Sequence, residues 1–294
     1  MRISLGPVLY YWPRETLADF YDRAKSWPAD IVYLGETVCA KRRPFRTAEW
    51  IELARELAAD GKETVLSTLT LIEARSELGV VKRLCTNKEI RVEANDIGAV
   101  QLLAERGIPF VTGPAINIYN AHTLARLRKL GLRRWVMPTE MSRDALANLL
   151  AHAQELGIDD IETEVFSYGR LALAYSARCF TARHHNLPKD KCDLRCIDNP
   201  EGIPLKTQEG KPFLTINGIQ TQSGEVYDLR DEWQAMATLG VDIMRVSPRP
   251  EMTGTILEDL RRRLDGQPTA ALAEPCNGYW HGAEGMRHIG AAAP

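Results

Sequence analysis

Ile90-Arg-Val-Glu-Ala-Asn-Asp-Ile-Gly-Ala-Val-Gln-Leu-Leu-Ala-Glu-Arg-Gly-Ile-Pro-Phe-Val-Thr112 holds the repeating unit of the chain. A short apolar run over Ile90 to Ala94 reads as a strand. Asp96 is placed to cap the helix that follows. A second run over Pro109 to Thr112 reads as the next strand. Strand, helix and strand in this order form a βαβ unit, whose two strands are parallel and covered on both faces.

The same alternation extends in both directions. Strands are expected at Ile3 to Leu5, Asp30 to Leu34, Thr64 to Leu69, Arg134 to Met137, Glu162 to Phe166 and Asp242 to Val246 as well. Several are rich in Val and Ile and are bounded by Gly, Pro or charge. Helical stripes lie between them: Leu17, Phe20, Tyr21 and Ala24; Trp50, Leu53, Ala54 and Leu57, with Thr47 as N-cap; Leu146, Leu149, Leu150 and Ala153; and Leu257, Leu260 and Leu264 before Gly266. About eight strands in this order predict an α/β fold, a (β/α)8-type barrel. An open doubly wound sheet is the alternative. The lack of a Gly-x-Gly-x-x-Gly after an early strand weakens a dinucleotide fold.

One connection breaks the rhythm. After the seventh strand, near Phe166, the next helix is delayed to Leu229 to Leu239. The expected organisation is a single barrel-like domain over residues 1–294, with a cysteine-bearing excursion at 167–228 and a C-terminal tail at 267–294. Within the excursion, an Asn217-Gly218 turn between extended runs predicts a hairpin.

The chain has 294 residues, 45% hydrophobic and 26% charged, which suits a globular protein with a buried core. A net charge of -2 gives no general attraction to nucleic acid or to an anionic membrane. The basic runs Lys41 to Arg43 and Arg261 to Arg263 are short enough to be solvated surface. No membrane-length apolar run and no targeting segment is read, so a soluble, cytoplasmic protein is expected. In a reducing compartment its six cysteines would serve metal or redox chemistry before disulfides.

Cys179, Cys192 and Cys196 lie in the excursion, in a polar loop with Arg178, Arg183, Lys189, Lys191 and Arg195. Basic neighbours favour thiolates, which are soft-metal ligands. The barrel topology supplies a fourth: Cys39, like the other three, follows a strand on the C-terminal face. Cys85 falls toward the opposite face and reads as packing, and Cys276 is a weaker candidate in the tail. Four thiolates suit zinc or a 4Fe-4S cluster, and a single tight pair with two distant members leans to the latter. His184 and His185 read as ordinary loop histidines, His122 and His152 as helical and structural. Glu93 and Asn95 end a barrel strand and are candidates for function, as are Asn117 and Tyr119 after the next strand. Glu162 and Glu164 would point inward, for chemistry or to hold an internal arginine. No nucleophile elbow and no His-Glu-x-x-His motif is present.

Glu162-Thr-Glu-Val-Phe-Ser-Tyr-Gly169, Tyr175-Ser-Ala-Arg-Cys179, the following Cys192 and Cys196, and Glu93-Ala-Asn-Asp96 together resemble the signature region of the collagenase-like peptidase family. The family's usual His-Gly is Tyr168-Gly169 here, and the first cysteine of its pattern is absent. These departures resemble members that do not cleave peptides and act in oxygen-independent ubiquinone hydroxylation. The resemblance implies a 4Fe-4S cluster on Cys39, Cys179, Cys192 and Cys196. It also implies a heterodimer with a UbiU-like sister protein, a lipid-carrier accessory protein, and a polyprenylated aromatic ubiquinone precursor. The expected role is an iron–sulfur component of that hydroxylase. A peptidase-like hydrolase or a structural zinc protein is the alternative.

Overall fold

The computed structural model of the chain describes residues 1–270, 272 and 276–290. Its barrel strands are β1 (Arg2–Leu5), β2 (Ile31–Leu34), β3 (Glu63–Ser67), β4 (Arg91–Ala94), β5 (Phe110–Thr112), β6 (Leu132–Val136) and β7 (Glu162–Gly169). After β7 come β8 (Ala172–Tyr175), β9 (Ile203–Lys206), β10 (Pro212–Asn217), β11 (Gln220–Ser223) and β12 (Tyr227–Asp228), and β13 (Ile243–Val246) completes the barrel. Strands β1 to β7 and β13 pair in parallel, and pairing of β6 with β7 closes the sheet into an eight-stranded barrel.

Around it lie α1 (Arg14–Ala24), α2 (Thr47–Ala59), α3 (Arg75–Cys85), α4 (Ile97–Ala104), α5 (Ala121–Lys129) and α6 (Arg143–Glu155), followed by the short α7 (Phe180–His184), then α8 (Trp233–Leu239) and α9 (Thr253–Leu264). The apolar stripes read from the sequence face inward: Leu17, Phe20, Tyr21 and Ala24 of α1 are buried, as are Trp50, Ala54 and Leu57 of α2. Asp96 caps α4 through a 2.6 Å bond from the Gly98 N–H. Helix α2 differs from expectation. Its N-cap is Arg46, and the Glu49 carboxylate, not Thr47, accepts the Arg46 N–H at 2.7 Å.

The cysteine-bearing insertion follows the seventh strand as expected, and it is more ordered than a loop. Strands β8, β11, β10 and β9 form an antiparallel sheet in that order. Asn217 pairs with Gln220 across the predicted turn, with Gly218 at φ 63°. This sheet is folded over one end of the barrel by the Asn217 side chain, which donates to the Leu9 carbonyl at 2.7 Å.

Two apolar layers result. The large one lies between strands and helices. The small one, Ile31, Tyr33, Val65, Val111, Val136 and Ile243, lies apart from it. Among the described residues, no helix is long and apolar enough to cross a membrane.

Candidate active site at the barrel mouth

Strand alternation delivers polar groups to the C-terminal end of the barrel, where its functional loops gather. Glu93 on β4 and Arg245 on β13 are buried and joined by a 2.8 Å ion pair. Arg245 also donates from Nε to Glu164 of β7 at 2.6 Å and stacks over the Tyr33 ring at 4.0 Å. Burial alone would disfavour its charge. Glu164 and Glu93 outweigh that and hold its pKa well above the ordinary value. Burial likewise opposes the Glu164 charge, but Arg245 and Arg134 keep its pKa below the usual range.

Asn95, two residues beyond Glu93, donates to the Thr68 carbonyl at 3.0 Å and to Glu93 at 3.3 Å. The Ser67 hydroxyl donates to the same Glu93 oxygen, Oε2, at 2.7 Å, while Arg245 holds Oε1. Gly113 backs Asn95 so closely that an added Cβ would collide with the amide oxygen.

Glu93, Asn95 and Arg245 line a chamber of about 40 Å³ with Thr37, Thr70, Tyr175 and Ser247, and Leu9 and Phe166 are among its apolar wall. That is room for a few waters or one small polar group. Tyr175 comes from the insertion sheet and accepts from Gln220 at 3.0 Å, so the insertion roofs the barrel. Two buried polar atoms of the lining have no partner: Arg245 Nη2 and Thr37 Oγ1. An outer groove of about 340 Å³ continues past Thr70, Thr139 and Tyr175 to Asn117, Tyr119 and Glu140.

Glu93, Asn95, Asn117 and Tyr119 therefore lie along one inner-to-outer path, and Glu164 holds an internal arginine. The reading from sequence missed Arg245, Thr37, Tyr175 and Ser247. A lone arginine inside the apolar strand Ile243-Met-Arg-Val246 was the available signal for the first.

None of the cysteines lines this chamber. Cys39 sits in the turn after β2, and its N–H donates to Glu36 at 2.9 Å. Cys179 caps α7, its sulfur accepting from the Ala182 N–H at 3.4 Å. Cys192 and Cys196 are half-buried at short helical turns. Burial first pushes the Cys39 and Cys196 thiols up, and the neighbouring Glu36 and Cys179 add to it, against the pull of Arg42. Cys85 is buried in the core on α3, and Cys276 is buried with its thiol donating to the Gly285 carbonyl at 3.2 Å.

The expected 4Fe-4S cluster is overturned. Among the described residues, no group of three or more His, Cys, Asp or Glu side chains is arranged to hold a metal ion. The physical reason is geometric: a cluster needs ligand side chains that converge on one point, and no such convergence occurs among the described residues. The reading of an iron–sulfur subunit of a ubiquinone-precursor hydroxylase falls with the cluster. Four of the histidines pair with each other, His122 with His152 at 5.4 Å and His184 with His185 at 5.1 Å between ring centroids, and His281 meets Glu232 at 3.0 Å.

A closed parallel barrel with a small chamber holding Glu93, Asn95 and Arg245 at its mouth and a roof inserted after the seventh strand defines the class. The chain belongs to peptidase family U32, which matches residues 21–251. It is similar to an uncharacterized protease of Methanocaldococcus jannaschii, 25% identical over 167 residues, which is 55% of this chain and 40% of the relative. It is also similar to the tRNA hydroxylation protein P of Haemophilus influenzae, 30% identical over 94 residues, 31% of this chain and 19% of the relative. The matches thus span less than half the length of these relatives. Among solved structures, a U32 peptidase aligns with TM-score 0.46 and 12% identity over 85% of this chain and 93% of that one. A DAHP synthase from Thermotoga maritima aligns with TM-score 0.44 and 9% identity over 90% and 70%.

Proposed function

We propose that the barrel mouth is the site of a peptidase-like hydrolase that takes a carbonyl or carboxylate oxygen of its substrate into the chamber. The observation that carries this is the pair of unpartnered buried donors, Arg245 Nη2 and Thr37 Oγ1, on two residues that line a space of about 40 Å³. An unmade bond on a buried donor costs about 1–3 kcal/mol, and a substrate oxygen would supply it. In this reading water attacks the scissile carbonyl carbon. Glu93 accepts the water proton, the two free donors hold the oxyanion, and the same proton leaves on the departing amine. The outer groove, with Asn117, Tyr119 and Glu140, holds the rest of the chain.

The test is incubation with a peptide mixture in oxygen-18 water, read by mass spectrometry. One heavy oxygen per new carboxylate is expected. Glu93→Gln should slow the reaction by about 100-fold or more, and Thr37→Val should lower the rate while the protein stays folded. Unlabelled products, or an unaffected Glu93→Gln, would remove the reading.

As a second reading, alternative to the hydrolase and separated from it by the peptide assay, we propose from the sequence resemblance that within the family the chain is of the UbiV kind, which does not cleave peptides, and works in the cytoplasm beside a UbiU-like sister protein. A lipid-carrier accessory protein would bring it a ubiquinone precursor as ligand. The supporting residues are Tyr168 in place of the family histidine and the isolated Cys39. Mixed with the sister protein, the chain should elute as a one-to-one heterodimer with matching mass by light scattering. Two separate monomer peaks at micromolar concentration would rule the pairing out.

A further inference from the structure

A second cavity, about 390 Å³, shares no lining residue with the barrel chamber and lies between α2 and α3 under the loop that joins β2 to α2. That volume is within the range of small-molecule sites. Its interior is mostly apolar, and Glu36 and Arg42, which attract each other, are the charged groups on its inner wall. Phe45 and Trp50 meet edge to face with centroids 4.9 Å apart, and Leu69, Val80, Val81 and Leu84 supply the remaining wall.

Its rim is cationic. Arg43, Arg46 and Arg83 line it and are exposed. None of the three forms an ion pair within 4.0 Å among the described residues, and Glu49 attracts Arg46 only from farther off. Nearby acids are already engaged: Glu49 pairs with Arg14 at 2.5 Å, Glu73 pairs with Lys189, and Glu77 accepts from the N–H groups of Glu73 and Ala74. Buried Arg42 also lines the cavity, and its Nε has no hydrogen-bond partner. Three guanidiniums gathered at one opening repel one another, and an anion held among them relieves that repulsion. A wholly polar anion would leave the aromatic and aliphatic interior wet, and a neutral oil would leave the cations unmatched.

We propose that this cavity binds an amphipathic anion, with its apolar body against Phe45, Trp50 and Leu84 and its carboxylate or phosphate head at Arg43, Arg46 and Arg83. The site is separate from the chamber that holds Arg245, so the two can be loaded independently. Arginine suits the head because its planar fork donates two parallel bonds to one carboxylate or phosphate.

The experiment is calorimetric titration of the intact protein with octanoate, with octanol and inorganic phosphate as comparisons. Octanoate should bind at one site per chain, at least tenfold more tightly than either comparison, and more weakly at high salt. Arg46→Glu and Arg83→Glu, both surface changes, should each weaken it about tenfold. Val80→Trp, filling the cavity from its half-buried wall, should abolish it while circular dichroism stays unchanged. Thr37→Val, in the barrel chamber, should leave it intact. No saturable octanoate binding, octanol binding as tightly as octanoate, or full affinity in the Arg46→Glu and Arg83→Glu proteins would overturn the proposal. Loss of peptide hydrolysis with octanoate binding retained would overturn only the reading of the barrel mouth.

Discussion

Glu36 stands at the turn after β2 with its carboxylate accepting the N–H groups of Val38 and Cys39, each at 2.9 Å. Burial raises its pKa to about 7, against the lowering effects of Arg42 and the two N–H bonds. An unfolded glutamate titrates near 4.3, so between roughly pH 4.3 and 7 the folded chain holds a proton that the unfolded chain has released. The stability from this residue is therefore full below that window and is lost as pH rises through it. The ceiling is ~4 kcal/mol, and residual solvent contact reduces it. Glu36→Gln should leave stability at pH 4 near the parent value and raise it at pH 8, where the parent residue is charged. Urea unfolding at the two pH values measures this, and an equal change at both would refute it. Nothing local in Gly35-Glu-Thr-Val38 announced the shift, because it comes from the chain that folds over the residue.

At the scale of elements, the hairpin from β10 to β11 shows how local chemistry reaches the site. Gly218 adopts φ 63°, and a Cβ there would lie 2.8 Å from Arg42 Nη2. That guanidinium in turn donates to Asn217 Oδ1 at 2.8 Å and to the Leu9 carbonyl at 2.9 Å, tying the insertion to the loop after β1. Gly218→Val should cost about 1–3 kcal/mol from backbone strain, plus the disturbance of Arg42. Thermal unfolding should show it, and a wild-type midpoint would mean the turn is free to rearrange.

The turn was legible in the sequence because Asn-Gly carries its own backbone preference. The barrel strands were legible for a related reason, since short Val- and Ile-rich runs between helical stripes state their partners' burial locally. The end of β7 was not. Ser167, Tyr168 and Gly169 extend it past Phe166 because Tyr168 and Gly169 pair with β12 and Tyr168 with β13, contacts set by distant chain. The roofing sheet was hidden likewise, since β8 joins it by pairing with β11, across the whole cysteine loop.

Across the whole molecule, a column of charge runs through the barrel where branched apolar side chains are the usual filling. It starts at Arg2, Glu63 and Glu162 near the N-terminal ends of the strands, and Arg134 bonds both glutamates at 2.8 Å. Arg134 also donates to the Tyr33 hydroxyl at 3.2 Å, and Tyr33 donates to Glu164 at 2.6 Å. Arg245 then carries the chain to Glu93 and the chamber. Glu162 and Glu164 were legible as inward residues from strand alternation. Their partners were not, because Arg134 and Arg245 lie on other strands and only barrel closure brings them together. The column predicts its own weakness. Glu164 receives Arg245 Nε, the Ser4 hydroxyl and the Tyr33 hydroxyl, so neutralising it strips charge balance from a buried arginine. Glu164→Gln should therefore lower stability at pH 7 by about 3–5 kcal/mol, the usual cost of breaking a buried pair. The pH dependence has a definite sign. The folded pKa of Glu164 is lowered, so its contribution is present above the unfolded value and is lost as pH falls from there through the folded value. The gap between wild type and Glu164→Gln should narrow below about pH 4. Chemical unfolding at pH 7 and pH 3.5 decides the matter. A constant gap would show that shape and hydrogen bonding, not the charge of Glu164, hold Arg245 in the barrel.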